Sequence, residues 1–279
     1  MTGTSLTIGH IAYANCEPFF HYLRECGFDG TIRSGVPVDL NRFLKNGEVD
    51  LSPSSSFEYL QHWHDYLLLP DLSISSVGEV QSVLLFSTTP IAELKGKEIF
   101  LTGESASSVR LLQVLLREYF DFEEVFCRVS HDDLEDLVNQ GKPALLIGDR
   151  ALRVSGQVPA DNIYDLGELW HQTTGLPFVF ALWIVRKKLA EDEGRQVACF
   201  HGKLKQSLKL ALADLPGVAE SLTGYAWYGH EKLVHYWQTV SYSLGEKHLQ
   251  GLRLYAELLV KYGFLEQLPE IKFFDPSGY

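Results

Sequence analysis

The chain is expected to fold as a two-lobed α/β protein with mainly parallel sheets and a helical C-terminal tail. Three observations predict it. Short β-rich runs alternate with helical runs through the first half, the pattern of strands joined by crossover helices. One more strongly apolar strand run comes at Phe178–Val185, and from Leu189 to Phe264 the sequence then reads as almost wholly helical. Finally, 279 residues suffice for one large core or two modest ones.

Taken in order, Leu6–Ile11 predicts a strand and Pro18–Glu25 a helix, with Pro18 suited to the first helical turn. Asp39–Asn46 predicts a helix, Val49–Leu51 a short buried strand, and Phe57–Trp63 the start of another helix. Ser82–Ser87 and Glu98–Leu101 predict strands. Ser108–Tyr119 is an amphipathic helix, with Val109, Leu112 and Leu115 on one side, and Ala144–Ile147 is an apolar strand. An α/β lobe that ends in helices, with a second lobe inserted in its middle, fits this order. Lobe one is expected at residues 1–90 and 180–279, and lobe two at 91–179. The crossovers then lie near Ser87–Ile91 and Leu176–Ala181, where Gly and Pro are close.

Charge and composition exclude several partners. The 24 basic and 36 acidic residues leave a net charge of −12, so nucleic acid and anionic membrane surfaces, which need a basic face, are not expected. No apolar segment has the length of a membrane span. Met1–Tyr13 lacks a basic stretch followed by an apolar run and does not read as a secretory signal. Cys16, Cys26, Cys127 and Cys199 show no CxxC spacing and read as free thiols of a reducing cytoplasm, the alternative being a Cys16–Cys26 disulfide. His62 and His64, two apart on a helix, point away from each other, and with no other ligand cluster no metal is expected. No Gly-rich phosphate loop or other cofactor signature is present, so no cofactor is expected. The Trp and Tyr residues between Tyr225 and Tyr242 are expected to pack the helical tail.

The functional signal lies in the polar stretches directly after three strands, because ligands of open α/β sheets sit beyond the strands' carboxyl ends. These stretches are Tyr13–Pro18, Ser52-Pro53-Ser54-Ser55-Ser56, and Thr102–Ser108. Each serine cluster directly precedes a helix. Serine caps a helix and leaves backbone N–H groups pointing outward at its positive end, so it can build an anion site without Lys or Arg. Either cluster alone is explained as a plain helix cap. Two in corresponding positions of two facing lobes suggest a pair of carboxylate pockets, and hence a small dicarboxylate ligand. Among possible bases, Glu17 and Glu104 also suit helix starts on dipole grounds, and Asp149 reads equally as cap or ligand contact; Asn15, which is no base, reads as a turn or cap residue or as a functional amide.

The same stretches resemble the chorismate dehydratase family. The matching segments are Ile8–Pro18, Gly47–Tyr59, Gly78–Ser87, Thr102–Leu112, Ala144–Ala151 (ALLIGDRA) and Tyr164–Trp183, which ends in TGLPFVFALW. They span roughly the first two-thirds of the chain, and the order of IGD before TGLPFVFALW is specific. The resemblance implies a type II periplasmic-binding-protein fold used for catalysis. It implies removal of water from chorismate to leave an enolpyruvyl ether of 3-hydroxybenzoate, the opening step of the futalosine route to menaquinone. It also implies a substrate-assisted route, in which the enolpyruvyl carboxylate takes the ring proton while Asn15 positions that group and the leaving hydroxyl. The substrate-binding candidates are Ser55, Ser56, Ser107 and Ser108, Ser82 from the crossing strand, Asp149, and Thr174 with Gly175. Ser107 departs from the family's usual threonine but keeps a hydroxyl. A sister family that makes dihydroxynaphthoate is expected to carry a histidine base where Gly148-Asp149 stands here. Two other functions fit such a fold. A plain solute-binding protein would bind chorismate without changing it, and the effector half of a regulator would need a DNA-binding module for which the chain has no basic region.

Overall fold

A computed structural model describes residues 5–130 and 133–279. The reading of Met1–Tyr13 as lacking a secretory signal therefore lies partly outside the described residues. In chain order the first elements are β1 (Thr7–Ile11), α1 (Glu17–Phe20), β2 (Thr31–Gly35), α2 (Pro37–Asn46), β3 (Leu51–Ser55), α3 (Ser56–Gln61) and β4 (Tyr66–Ser76). Next come β5 (Val83–Phe86), β6 (Ile99–Leu101), α4 (Ala106–Tyr119), β7 (Cys127–Val129), α5 (Leu134–Asn139), β8 (Ala144–Ile147), α6 (Gly148–Ser155), β9 (Ile163–Asp165) and α7 (Leu166–Thr174). The chain then returns through β10 (Phe178–Arg186), α8 (Lys187–Asp192), α9 (Gly194–Ala213), α10 (Leu215–Ser221), α11 (His230–Thr239), β11 (Val240–Leu244) and α12 (Glu246–Lys261).

These strands form two sheets, ordered β11-β4-β10-β3-β1-β2 and β7-β6-β8-β5-β9. Apart from the added edge strand β11, the two share one plan. Three parallel strands (β2-β1-β3 and β7-β6-β8) meet an antiparallel strand that has just arrived from the other lobe: β10 in the first sheet, β5 in the second. Both sheets are thus mixed, not mainly parallel. Strands buried on both faces read as plain apolar runs, and such runs carry no sign of direction.

The first crossover also moves. β5 pairs with β8 and β9, so the chain leaves the first sheet between Val77 and Ser82, upstream of the expected Ser87–Ile91. Gly78, at φ +94, makes this turn, where an L side chain would be strained. The return passes through Gly175–Pro177, close to expectation. A second correction concerns the tail. It contains a strand, β11, which pairs antiparallel with β4 and whose short serine-rich run VSYSL gave no strong signal beside the flanking helices.

The serine cluster of β3 also departs from expectation. Ser52, Ser54 and Ser55 are strand residues, all buried, and Pro53 pairs with Trp183 of β10 inside the sheet. Serine and proline both disfavour a central strand, which is why the sequence reads as a turn. Close packing explains the small residues. A Cβ on Gly9 of β1 would lie 2.2 Å from Ser52 Oγ, so β1 approaches β3 only with glycine there.

A single side chain fixes both the crossover and the helix beside it. Asp165, at the end of β9, accepts from the N–H groups of Val80 and Gln81 in the crossover at 2.6–3.1 Å. It also accepts from Gly167 and Glu168 in the first turn of α7, at 2.9 and 3.1 Å. Replacing Asp165 by alanine removes a helix cap, which costs about 0.5–2 kcal/mol, and strands two buried amides at about 1–3 kcal/mol each. Asp165→Ala should therefore lower unfolding free energy in denaturant titration by on the order of 3 kcal/mol. A loss below about 1 kcal/mol would show that the crossover is held by other contacts.

Candidate active site

A cavity of about 50 Å³ lies between the sheets, at the carboxyl ends of β1, β3 and β8. Lobe one supplies Tyr13 and Asn15 after β1 and Ser55 at the end of β3. Lobe two and the crossover supply Ser82, Ser105, Ser108 and Gly148. Ile11, Ile74, Val80, Val83, Ile147 and Phe180 make the remaining walls apolar. None of the described lining residues carries a charge, so polar recognition falls to hydroxyls, one amide side chain and helix ends.

Of the candidates named from sequence, Asn15, Ser55, Ser82 and Ser108 meet at this cavity. Asn15 sits in a short 3-10 turn, Ala14–Cys16, directly after β1. Its side-chain oxygen is buried without a hydrogen-bond partner among the described residues, and its side chain lies beside the Tyr236 hydroxyl. Tyr236 in turn donates to Ser82 Oγ at 2.8 Å, which joins Asn15 and Ser82 through one tyrosine. Ser55 caps α3 by accepting from Glu58 N at 3.2 Å. In α4 the cap is Ser105, which accepts from Ser108 N at 3.3 Å and donates to Ser108 Oγ at 3.0 Å.

Ser56 and Ser107 do something else. Their hydroxyls meet each other at 3.1 Å, and Phe57 N donates to Ser107 Oγ at 2.8 Å. Both are fully buried, so they stitch the starts of α3 and α4 together across the two lobes and do not line the cavity. Helix geometry accounts for the split between neighbours, since Ser107 and Ser108 point about 100° apart. The expectation of two matched anion pockets is corrected with it. In α3 the Phe57 and Glu58 amides are already taken by Ser107 and Ser55, while in α4 the Ala106 and Ser107 amides have no partner among the described residues.

Thr174 and Gly175 also lie away from the cavity. Thr174 Oγ1 donates to Trp170 O at 2.7 Å and accepts from Leu176 N at 3.1 Å, and Gly175, at φ +70, is the left-handed cap that ends α7. They shape the return crossover. The three candidate carboxylates are all engaged behind the cavity wall. Glu104 accepts from the Tyr13 hydroxyl at 2.6 Å, Asp149 accepts from Ala14 N at 2.9 Å, and Glu17 lies 3.4 Å from the Tyr225 hydroxyl. Burial raises the Asp149 carboxyl to about 6 and the Glu17 carboxyl to about 7, with the charge of Asp149 adding to the rise at Glu17. His10, 3.6 Å from Glu17, is lowered by burial to about 4, so at neutral pH it is uncharged and forms no ion pair there.

The lobes also meet at Gly148, where a Cβ would fall 2.8 Å from the Tyr13 ring. Gly148 also has φ +58, so two independent constraints demand glycine in the IGD run. Sequence reading missed Tyr13, Tyr236 and Trp237 as parts of the site. The last two read from sequence as packing of the tail, and buried aromatics on a helix give no signal that separates the two roles.

A family model described as menaquinone biosynthesis matches residues 6–261. The chain belongs to this menaquinone-biosynthesis family. Within it, the chain is 36% identical over 267 residues to a chorismate dehydratase of Thermus thermophilus, covering 90% of this chain and 94% of that one. Among solved structures, a protein of Archaeoglobus fulgidus superposes with a TM-score of 0.76 at 17% identity, covering 95% of this chain and 100% of that one. The periplasmic aliphatic sulphonate binding protein of Escherichia coli superposes with a TM-score of 0.68 at 14% identity, covering 97% and 91%. The fold is therefore periplasmic-binding-protein-like, as the family resemblance implied, with the cavity between its lobes.

The raised Glu17 carboxyl has a consequence for stability. A carboxyl that ionises less readily folded than unfolded brings a penalty that is absent below the unfolded value of 4.5. The penalty grows as pH rises and is complete above about 7. Glu17→Gln removes it and keeps an acceptor for Tyr225. The variant should be more stable than the parent at about pH 8, by at most about 3 kcal/mol, and the two should converge near pH 4. Parallel stability profiles with no convergence would show that Glu17 is ionised without penalty.

Proposed function

We propose that the chain removes water from chorismate to give 3-[(1-carboxyvinyl)oxy]benzoate. One observation carries the assignment of roles: among the described residues, Asn15 places a buried, unpaired amide oxygen at a cavity built by both lobes with no charged lining, in a chain of the menaquinone-biosynthesis family. The reaction needs little more than orientation and charge stabilisation, because loss of water makes the ring aromatic.

In this reading the ring carboxylate sits at the N-terminus of α4, against the Ala106 and Ser107 amides and the Ser108 hydroxyl. Departure of the ring proton beside the ether sends negative charge through the diene toward that carboxylate. The helix end then stabilises the transition state more than the ground state. The enolpyruvyl carboxylate, held by Asn15, accepts the proton and passes it to the departing hydroxyl. One water leaves, and no oxidant or reductant is consumed. A primary amide suits this place because it donates and accepts at once. A pocket for a small molecule holds about 300–1,000 Å³, well above the roughly 50 Å³ here, so substrate enters after the lobes part at the two crossovers. The reading further places the reaction at the start of the futalosine route and in the cytoplasm. Four free cysteines support a reducing compartment.

Incubation with chorismate should yield a product lighter by one water, followed by mass and by the change in ultraviolet absorbance. Unchanged chorismate from folded protein would leave the solute-binding reading in place. Asn15→Leu should lower turnover by about 10²-fold or more while binding weakens modestly, as for loss of a single transition-state donor. Asn15→Asp should also fail, because its charge repels the carboxylate that acts as base. If Asn15→Leu melts early yet turns over normally per folded molecule, the residue is structural.

A further inference from the structure

The peptide groups on both sides of Ala14 are gripped from opposite lobes. The Ala14 N–H donates to Asp149 Oδ1, in the first turn of α6, at 2.9 Å. The Ala14 carbonyl accepts from Trp237 Nε1, on α11 of lobe one, at 2.7 Å. That carbonyl belongs to the peptide bond joining Ala14 to Asn15, so Trp237 fixes the plane from which the Asn15 side chain departs. Asp149 fixes the plane before it. Ala14 and Trp237 are buried, at 0% and 1% exposure, so the Trp237 bond has no water to replace it, while Asp149 is half-buried. The hydroxyl of Tyr236, the neighbour of Trp237, lies beside the Asn15 side chain itself. Consecutive residues of α11 therefore face the Ala14–Asn15 peptide and the Asn15 side chain.

Asp149 does not line the cavity. It accepts from the Ala14 amide, the Tyr225 hydroxyl also bears on it, and its other polar and charged neighbours are Tyr13, Glu17, Arg153 and Tyr236. We propose that Asp149 and Trp237 are positioning residues that hold the Ala14 peptide, and through it Asn15, in place for dehydration. Because Asp149 comes from lobe two, the catalytic geometry is complete only when that lobe has closed. The proposal rests on the dehydratase reading and on Asn15 as the group that meets substrate. A misplacement of about 1 Å at such a group costs about 10²-fold in rate, enough to make a positioning bond visible in kcat.

Trp237→Phe removes the N–H and keeps most of the ring. Asp149→Ala removes the acceptor, whereas Asp149→Asn keeps an acceptor oxygen without charge. We expect kcat to fall about 10- to 100-fold in Trp237→Phe and in Asp149→Ala with KM changed less than about threefold. Asp149→Asn should recover most of the rate lost in Asp149→Ala. Combined with Asn15→Leu, neither Trp237→Phe nor Asp149→Ala should lower the residual rate further, since both act through Asn15. Independently of turnover, hydrogen exchange at the Ala14 amide should be slow in the parent and in Asp149→Asn and fast in Asp149→Ala. Normal kcat per folded molecule in both variants would overturn the proposal, as would a further undiminished loss on the Asn15→Leu background. Asp149→Asn as impaired as Asp149→Ala would overturn it too, by giving Asp149 a role for its charge. If the parent makes no product, the dehydratase reading fails, and the exchange measurement still decides the positioning claim: slow Ala14 exchange in Asp149→Ala contradicts it.

Discussion

The carboxylate of Asp165 gathers two amides of the first crossover and two of α7, and the geometry of the cleft depends on that knot. It sets where the chain passes from β4 to β5. It also places α7, whose far end delivers the chain to β10. Close packing reinforces it: a Cβ on Gly167 would lie 2.6 Å from Ser76 Oγ, and one on Gly251 of α12 would lie 2.1 Å from the Pro177 carbonyl. Both passages between the sheets are thus fixed by small residues and satisfied amides. The β1, β3 and β8 ends that face each other across the cleft are positioned by these two passages.

The electrostatic problem of the site is a dianion entering a protein of net charge −12. No cation lines the cavity among the described residues. Free amides at the start of α4 supply a local positive end instead, which acts over a short range and is insensitive to the global charge. The nearest carboxylates are turned to other tasks, Glu104 on Tyr13 and Asp149 on Ala14. Burial holds the carboxyls of Glu17 and Asp149 up to about 7 and about 6, so near neutral pH part of their charge is suppressed where it would repel substrate.

Much of this was legible in the sequence. The alternation of strand and helix runs pointed to two α/β lobes, and Ala144–Ile147 matches its strand residue for residue. The polar stretches after β1 and before α3 and α4 led to Asn15, Ser55 and Ser108 at the cavity. What escaped had physical causes. Pro53 and its serines hid a central strand because local propensity opposed it, and tertiary pairing with β10 overruled that propensity. Ser107 and Ser108 differ in role only through helix rotation, which depends on the cap falling at Ser105. Thr174 and Gly175 carried a family motif whose meaning is a helix end. Trp237 reaches Ala14 across 223 positions of sequence, a distance over which a single chain gives no pairing signal.

Both lobes are expected to build one dicarboxylate site around Asn15, and a crystal structure with the product, 3-[(1-carboxyvinyl)oxy]benzoate, tests this most directly. The expected result is an enlarged cavity with the ring carboxylate on the α4 amides and Ser108, and the enolpyruvyl carboxylate within hydrogen-bond distance of the Asn15 amide. Product bound outside the cleft, or with Asn15 facing neither carboxylate, would contradict it.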